Sequence, residues 1–102
     1  MTGDLIRVLL ADDHAVVRAG LKAVLGTAKD ITVVGEARNG REAVDAAARL
    51  NPDVVVMDLS MDEMDGAAAT KELKARSSKC RVLILTMHAE DEFLVQIGRA
   101  HV

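Results

Sequence analysis

Residues 53–58 read Asp53-Val54-Val55-Val56-Met57-Asp58, a short apolar run bounded by acidic residues. Its apolar residues are continuous rather than alternating, which is typical of a strand buried on both faces in a parallel sheet. Similar runs cover residues 5–11 and 81–86, and a more polar run, typical of an edge strand, covers residues 31–37. We therefore predict four strands.

Helical patterns fill the gaps between these strands. They cover residues 14–25, 39–50 and 66–76, and a further helix is predicted to begin near Glu90. The first helix carries an apolar stripe that includes Val24, and the second opens on Asn39, a favourable N-cap residue. Strands that alternate with helices through short loops indicate an α/β fold with a doubly wound parallel sheet. The spacing of the strands places a fifth strand beyond residue 102, so we expect this strand and its helix to be missing.

The composition excludes several classes of function. The chain has 102 residues, 50% of them apolar, and a net charge of −3, which suits one domain with a small aliphatic core. With one Phe, no Tyr and no Trp, it has no aromatic platform for single-stranded nucleic acid, and its acidity disfavours binding to a phosphate backbone. The single Cys80 excludes an internal disulfide. No apolar run approaches the roughly 20 residues of a membrane span, and no leader is evident, so we expect a cytoplasmic protein.

Four polar residues lie where three of the predicted strands end: Asp12, Asp13, Asp58 and Thr86. Sites in doubly wound sheets form beyond the carboxyl ends of the strands, so these residues are expected to converge. Three close carboxylates repel one another, and a hard divalent cation, most simply Mg²⁺, offsets that repulsion. The alternative is that they act only as turn formers and helix caps. This alternative is weaker for Asp58, because an unpaired charge in a buried position is costly.

Four motifs carry a family resemblance. They are Leu9-Leu10-Ala11-Asp12-Asp13-His14-Ala15-Val16-Val17-Arg18-Ala19-Gly20-Leu21, Met57-Asp58-Leu59-Ser60-Met61, Met64-Asp65-Gly66 and Leu83-Ile84-Leu85-Thr86-Met87-His88. Together they resemble the receiver domains of two-component response regulators, in particular the NarL/FixJ-like group with a C-terminal LuxR-type helix-turn-helix. The resemblance covers residues 5–96 and implies a flavodoxin-like sheet with strand order 2-1-3-4.

The resemblance implies a role for each matching residue. Asp58 would be the phosphoacceptor, in a protein that catalyses only its own phosphorylation and dephosphorylation. Mg²⁺ would be held directly by Asp13 and Asp58, partly through water by Asp12, and by the backbone carbonyl of Ser60. Thr86 would hydrogen-bond the phosphoryl group and report its presence.

The resemblance also implies partners. A sensor histidine kinase would donate the phosphoryl group, and phosphorylation would favour a homodimer. DNA would be contacted only through a C-terminal helix-turn-helix domain that this sequence does not contain, and no membrane is involved. We expect the kinase to dock on the first helix, where Ala15, Val16 and Ala19 form a small apolar surface. The alternative is that Val16 is an ordinary core residue.

The sequence departs from the family pattern in the loop after the phosphoacceptor and at its C-terminal end. Family members usually have Pro where this chain has Asp62. Their catalytic Lys and switch aromatic belong to the fifth strand, and no Lys of this sequence stands in the equivalent place. His14, beside the acidic pair, is interpreted as a loop or cap residue, with tuning of the site as the alternative.

We therefore predict an incomplete receiver domain over residues 1–96, truncated at its C-terminal end. Residues 97–102 break the preceding helical pattern and match the translation of a common sequencing adapter, so we predict a non-native tail; a divergent natural end is the alternative. Two other functions stay open. One is an Mg²⁺ phosphatase of the haloacid-dehalogenase type, which would want a second acid where Ser60 stands. The other is a receiver that serves only as a protein-binding surface.

Overall fold

The computed structural model describes residues 5–58, 66–76, 80–87 and 93–98. The elements are β1 (Ile6–Ala11), α1 (Ala15–Leu25), β2 (Ile31–Ala37), α2 (Gly40–Leu50), β3 (Val54–Asp58), α3 (Gly66–Arg76), β4 (Arg81–Met87) and β5 (Phe93–Gly98). The first seven begin and end within one residue of their predicted bounds. No helix in the described ranges is both long and apolar enough to cross a bilayer.

The sheet has the strand order β2-β1-β3-β4-β5. The first four strands are parallel, with Val8 opposite Val54 and Val54 opposite Arg81. This confirms the predicted α/β fold with order 2-1-3-4. The more polar β2 lies at one edge of the sheet, as its composition indicates.

The prediction of a helix beginning near Glu90 is wrong, and the outer edge of β4, which the missing fifth parallel strand would leave open, is paired. Phe93–Gly98 forms β5, which pairs with β4 in the antiparallel direction, from Met87 opposite Phe93 to Val82 opposite Gly98. An open strand edge offers a row of unpaired N–H and C=O groups. The connection from β4 is too short for the crossover that a parallel neighbour needs, so an antiparallel strand satisfies that edge. The origin of residues 97–102 stays a prediction.

The two faces of the sheet are covered unequally. On one face, α2 and α3 enclose the main core, whose largest fully buried side chains include Leu9, Met57 and Val44. The other face has a smaller cluster, against which α1 packs through the half-buried Leu21 and Leu25. No residue of α1 is buried, and Val24, predicted to lie on its apolar stripe, is 67% exposed. Helix α1 therefore depends strongly on polar contacts for its position.

Helix α2 is capped at its N-terminal end by side chains. Asn39 Oδ1 accepts a hydrogen bond from the backbone N–H of Glu42 at 2.8 Å. Glu42 in turn accepts from the backbone N–H and the guanidinium of Arg38, at 2.9 and 3.0 Å. The bond to Asn39 satisfies a donor that the first turn of a helix leaves unpaired, so the predicted N-cap role of Asn39 is confirmed.

The C-terminal end of α2 is held by a residue of β1. Asn51 ends the helix in the left-handed conformation, with φ 51°. Arg7 Nη1 donates to the carbonyls of Leu50 and Asn51 at 2.6 and 2.8 Å. A cation at this end also interacts favourably with the helix dipole. The contact ties α2 to β1, the strand that Asp12 and Asp13 follow.

Candidate functional site

The register of β1 and β3 brings acidic residues together at the C-terminal ends of these two strands. Ala11 lies opposite Met57, and the next residues along these strands are Asp12 and Asp58. Asp13 and His14 follow before α1 begins. One ligand atom from each of Asp12, Asp13, His14 and Asp58 lies within 4.8 Å of the other three. We call these four residues the acidic cluster. The structure thus brings together the three carboxylates that the sequence predicted to converge.

The four residues of the acidic cluster differ in their exposure to solvent. Asp12 and Asp58 are only 6% and 7% exposed. The side chain of Asp13 is 29% exposed and that of His14 is 62% exposed. The main chain of Asp12 is held on both sides, since its N–H donates to the Ala37 carbonyl at 3.0 Å and its carbonyl accepts from the Arg18 guanidinium at 2.7 Å. The site therefore opens to solvent on the side of Asp13 and His14.

His14 contacts both neighbouring carboxylates. Its backbone N–H donates to Asp12 Oδ1 at 2.7 Å, and its ring Nδ1 lies 3.0 Å from that oxygen and 2.8 Å from Asp13 Oδ1. The hydrogen bond with Asp12, followed by the charge of Asp13, raises the pKa of His14 above its ordinary 6.5. His14 stands at the N-cap position of α1 but its side chain makes no capping bond. The predicted position is right, and the ring contact was missed, although adjacency to two acids was a signal for it.

The main chain of Thr86 lies at the same ends of the strands. Asp58 is opposite Leu85 in the β3–β4 register, and Thr86 is the next residue along β4. The side chain of Thr86, and the whole of Ser60 and Asp62, lie outside the described residues. The described part of the site is therefore the acidic cluster on β1, β3 and the loop into α1.

The acidic cluster has the chemistry of a site for a hard cation. Its carboxylates supply oxygen ligands, and two of them are buried, where repulsion between close like charges is costly. A divalent cation that prefers oxygen ligands would relieve that cost with one or two carboxylates and retained water. The donor set fits Mg²⁺, and the His14 nitrogen is an additional polar group at the rim.

The family model described as response regulator receiver domain matches residues 8–102. The chain belongs to this family. The receiver domain is 45% identical over 86 residues to the response regulator protein VraR of Staphylococcus saprophyticus, an alignment that covers 84% of this chain and 41% of that protein. It is 47% identical over 87 residues to VraR of Staphylococcus aureus, covering 85% and 42%. The chain therefore spans about two fifths of the length of these curated relatives.

Solved structures of receiver domains share its fold. The signal receiver domain of NarL from Mycobacterium tuberculosis superposes with a TM-score of 0.80 at 33% identity, covering 83% of this chain and 68% of that one. A LuxR-family two-component response regulator from Aurantimonas sp. gives a TM-score of 0.79 at 35% identity, covering 83% and 61%. These similarities confirm the predicted family and fold. The protein contains the receiver domain of a response regulator of two-component signalling.

Proposed function

We propose that Asp58 accepts a phosphoryl group from the phosphohistidine of a sensor kinase, with Mg²⁺ bound at the acidic cluster. The observation that supports this most directly is the convergence of three carboxylates at the ends of β1 and β3, within 4.8 Å of one another. Asp58 is the one among them that lies within a strand, as the last residue of the central β3, so its backbone is held in the sheet. A fixed carboxylate beside further acids suits acceptance of a phosphoryl group together with a cation.

The transfer exchanges one bond to phosphorus for another. A carboxylate oxygen of Asp58 forms the new P–O bond while the P–N bond of the phosphohistidine breaks, and the kinase imidazole leaves. Bound Mg²⁺ supplies neutralisation of the charge on the phosphoryl oxygens. Asp13 and Asp58 would hold the cation directly and Asp12 partly through water, and the resemblance adds the backbone carbonyl of Ser60, which lies outside the described residues. The Thr86 hydroxyl hydrogen-bonds the transferred group and signals its presence.

The chain acts on itself and passes the signal to partners. We class it as a phosphoacceptor, not as an enzyme with a separate substrate. Phosphorylation favours a homodimer, and DNA is contacted only through a C-terminal helix-turn-helix domain in the complete regulator. The domain works in the cytoplasm.

Labelling with a small phosphodonor tests the assignment of Asp58. The chain is treated with acetyl phosphate and Mg²⁺, trapped with borohydride and mapped by mass spectrometry. Asp58 is expected to carry the label, Asp58→Ala to lose it, and the exposed Asp45→Ala on α2 to keep it. Label that survives Asp58→Ala at the wild-type level would refute the assignment. Repeated turnover of phosphate esters would favour the phosphatase alternative instead.

The kinase surface is tested separately. Ala15, Val16 and Ala19 are exposed on α1, and Val16 is 85% exposed, so it is not a core residue. A small apolar surface beside the acidic cluster suits a helix of the kinase. Ala15→Glu and Ala19→Glu should slow transfer from the phosphorylated kinase and leave labelling by acetyl phosphate unchanged. Equal slowing of both reactions would argue against docking at this surface.

A further inference from the structure

Arg18 connects three parts of the chain that meet beside the acidic cluster. It belongs to α1, and its guanidinium Nη1 donates to the carbonyl of Asp12 at 2.7 Å. Its Nε donates to Glu36, near the end of β2, at 2.9 Å. The Arg18 side chain is only 15% exposed. One largely buried guanidinium therefore joins the Asp12–Asp13 loop, α1 and the edge strand β2.

The bond to the Asp12 carbonyl acts on the residue that follows. The carbonyl of Asp12 and the N–H of Asp13 belong to one planar peptide unit. A donor held on that carbonyl therefore fixes the direction in which the chain enters Asp13. With the Asp12 N–H bonded to Ala37 on the other side, the loop is anchored at both peptide units that flank Asp12.

Glu36 holds the guanidinium in place. Lys22, one turn further along α1, donates to the other Glu36 oxygen at 3.0 Å. The hydrogen bonds from Lys22 and Arg18 lower the pKa of Glu36, so it stays ionised near neutral pH. Arginine presents several donors in a rigid fork, which allows it to bridge a carbonyl and a carboxylate at once. Lys22 supports the same carboxylate, and the described hydrogen bond of its side chain goes there.

We propose that Arg18 is a positioning residue, which holds the Asp12–Asp13 loop in the geometry that binds the divalent cation. This inference rests on the proposed function of the acidic cluster and adds a residue that contacts neither the phosphoryl group nor the cation. Hydrogen-bonding partners outside the ligand set commonly change metal affinity by about 10–100-fold. Helix α1 has no buried residue and packs on the sheet through the half-buried Leu21 and Leu25, so the Arg18 contacts add to what fixes its distance from the loop.

The direction of the change in Mg²⁺ affinity distinguishes a positioning role from an effect of charge alone. Loss of a positive charge near an acidic site should by itself tighten Mg²⁺ binding, by about twofold or less after screening. Loss of a positioning contact should weaken binding. Arg18→Met and Lys22→Met make the same change in charge on the same helix, beside the same Glu36 carboxylate, and only Arg18 reaches the Asp12 carbonyl. Lys22→Met is therefore the matched control.

Mg²⁺ titration by NMR of the 102-residue chain, with acetyl phosphate labelling at several Mg²⁺ concentrations, tests the proposal. We expect Arg18→Met to weaken Mg²⁺ binding roughly 10-fold and to raise the Mg²⁺ concentration for half-maximal labelling equally. The labelling rate at saturating Mg²⁺ should stay near the wild-type rate, because the Asp58 nucleophile is intact. Lys22→Met should bind Mg²⁺ as tightly as wild type or slightly more tightly. Arg18→Lys should recover part of the affinity, since lysine retains a donor for the carbonyl.

Three outcomes would overturn the proposal. In the first, Arg18→Met binds Mg²⁺ as tightly as wild type; in the second, Arg18→Met and Lys22→Met lose affinity equally. In the third, the labelling rate falls at all Mg²⁺ concentrations, which indicates general damage to the fold. If Arg18→Met does not fold, Arg18→Lys and Glu36→Gln provide the test. Wild-type Mg²⁺ affinity in both of these variants overturns the proposal. A wild-type chain that neither binds Mg²⁺ nor labels at Asp58 would instead refute the proposed function itself.

Discussion

Replacing Asp13 with asparagine should stabilise the metal-free protein and reduce the stabilisation that Mg²⁺ provides. The ligand atom of Asp13 lies within 4.8 Å of those of Asp12 and Asp58, so its charge is repelled by two carboxylates. At that separation two unit charges repel by about 0.9 kcal/mol in bulk water. Two such pairs give about 1.7 kcal/mol, and screening at physiological salt reduces this to about 1 kcal/mol. Asparagine keeps the size of the side chain and removes the charge.

The two effects have opposite signs, which makes the prediction specific. A gain of 1 kcal/mol raises the melting temperature of a domain of 60–100 residues by about 4–8 °C. A ligand that binds only the folded state stabilises by about 2.7 kcal/mol at 100 times its Kd. Asp13→Asn has one ligand charge fewer, so the same Mg²⁺ concentration should raise its melting temperature less than that of wild type. His14, when protonated, offsets part of the repulsion, so the comparison is made in alkaline buffer.

Differential scanning calorimetry with and without Mg²⁺ measures both effects. Asp45→Asn makes the same change in net charge at an exposed position of α2 and serves as the matched control. It should change neither the melting temperature without Mg²⁺ nor the shift that Mg²⁺ causes. The reasoning fails if Asp13→Asn melts below wild type without Mg²⁺, or if Mg²⁺ stabilises it as much as wild type.

Three further predictions concern the fold that carries the site. Arg7→Met removes the donor to the last carbonyls of α2 and should lower the free energy of unfolding by about 1.5–3 kcal/mol in urea titrations. The exposed Arg49→Met removes only a last-turn cation and should cost under about 1 kcal/mol, so equal losses would contradict the capping role. Hydrogen bonds from Arg38 lower the pKa of Glu42, so their stabilisation is present above pH 4.5 and lost as the pH falls through the folded-state pKa. Thermal melts of Glu42→Gln should therefore depend less on acid pH, and an unchanged profile would count against the pair. Leu9 is 0% exposed, and Leu9→Ala should cost about 2–5 kcal/mol by the same urea assay; a cost below 1 kcal/mol would show that the core repacks.

The parallel strands, the helices between them and the convergence of the carboxylates could be predicted from the sequence. Continuous apolar runs identify buried strands locally, and Asn39 marks the start of α2 because its side chain bonds within its own turn. Once alternation implies a parallel sheet, the carboxyl ends of all strands share an edge. The meeting of Asp12 and Asp58 then follows from topology without any side-chain detail.

The strand β5 and the exposure of Val24 depended on tertiary structure. Residues 93–96 are compatible with a helix or a strand, and the open edge of β4 selects the strand. Val24 lies on an apolar stripe, but a stripe is buried only where another element lies opposite it, and Val24 remains 67% exposed. In both cases the structure of a segment depends on whether a distant part of the chain pairs with it or packs against it.

The contacts that refine the site were also decided by tertiary structure. The sequence contains Arg18 and Glu36 among many charged residues. Nothing local indicates that they pair across 18 positions, or that Arg18 also donates to the Asp12 carbonyl. His14 stands next to two acids in sequence, yet its ring contacts both only because the loop turns before α1. Hydrophobic periodicity is a property of neighbouring residues, so it predicts elements and their order. Hydrogen bonds require specific distances and angles between groups, so they are determined only when the elements have packed.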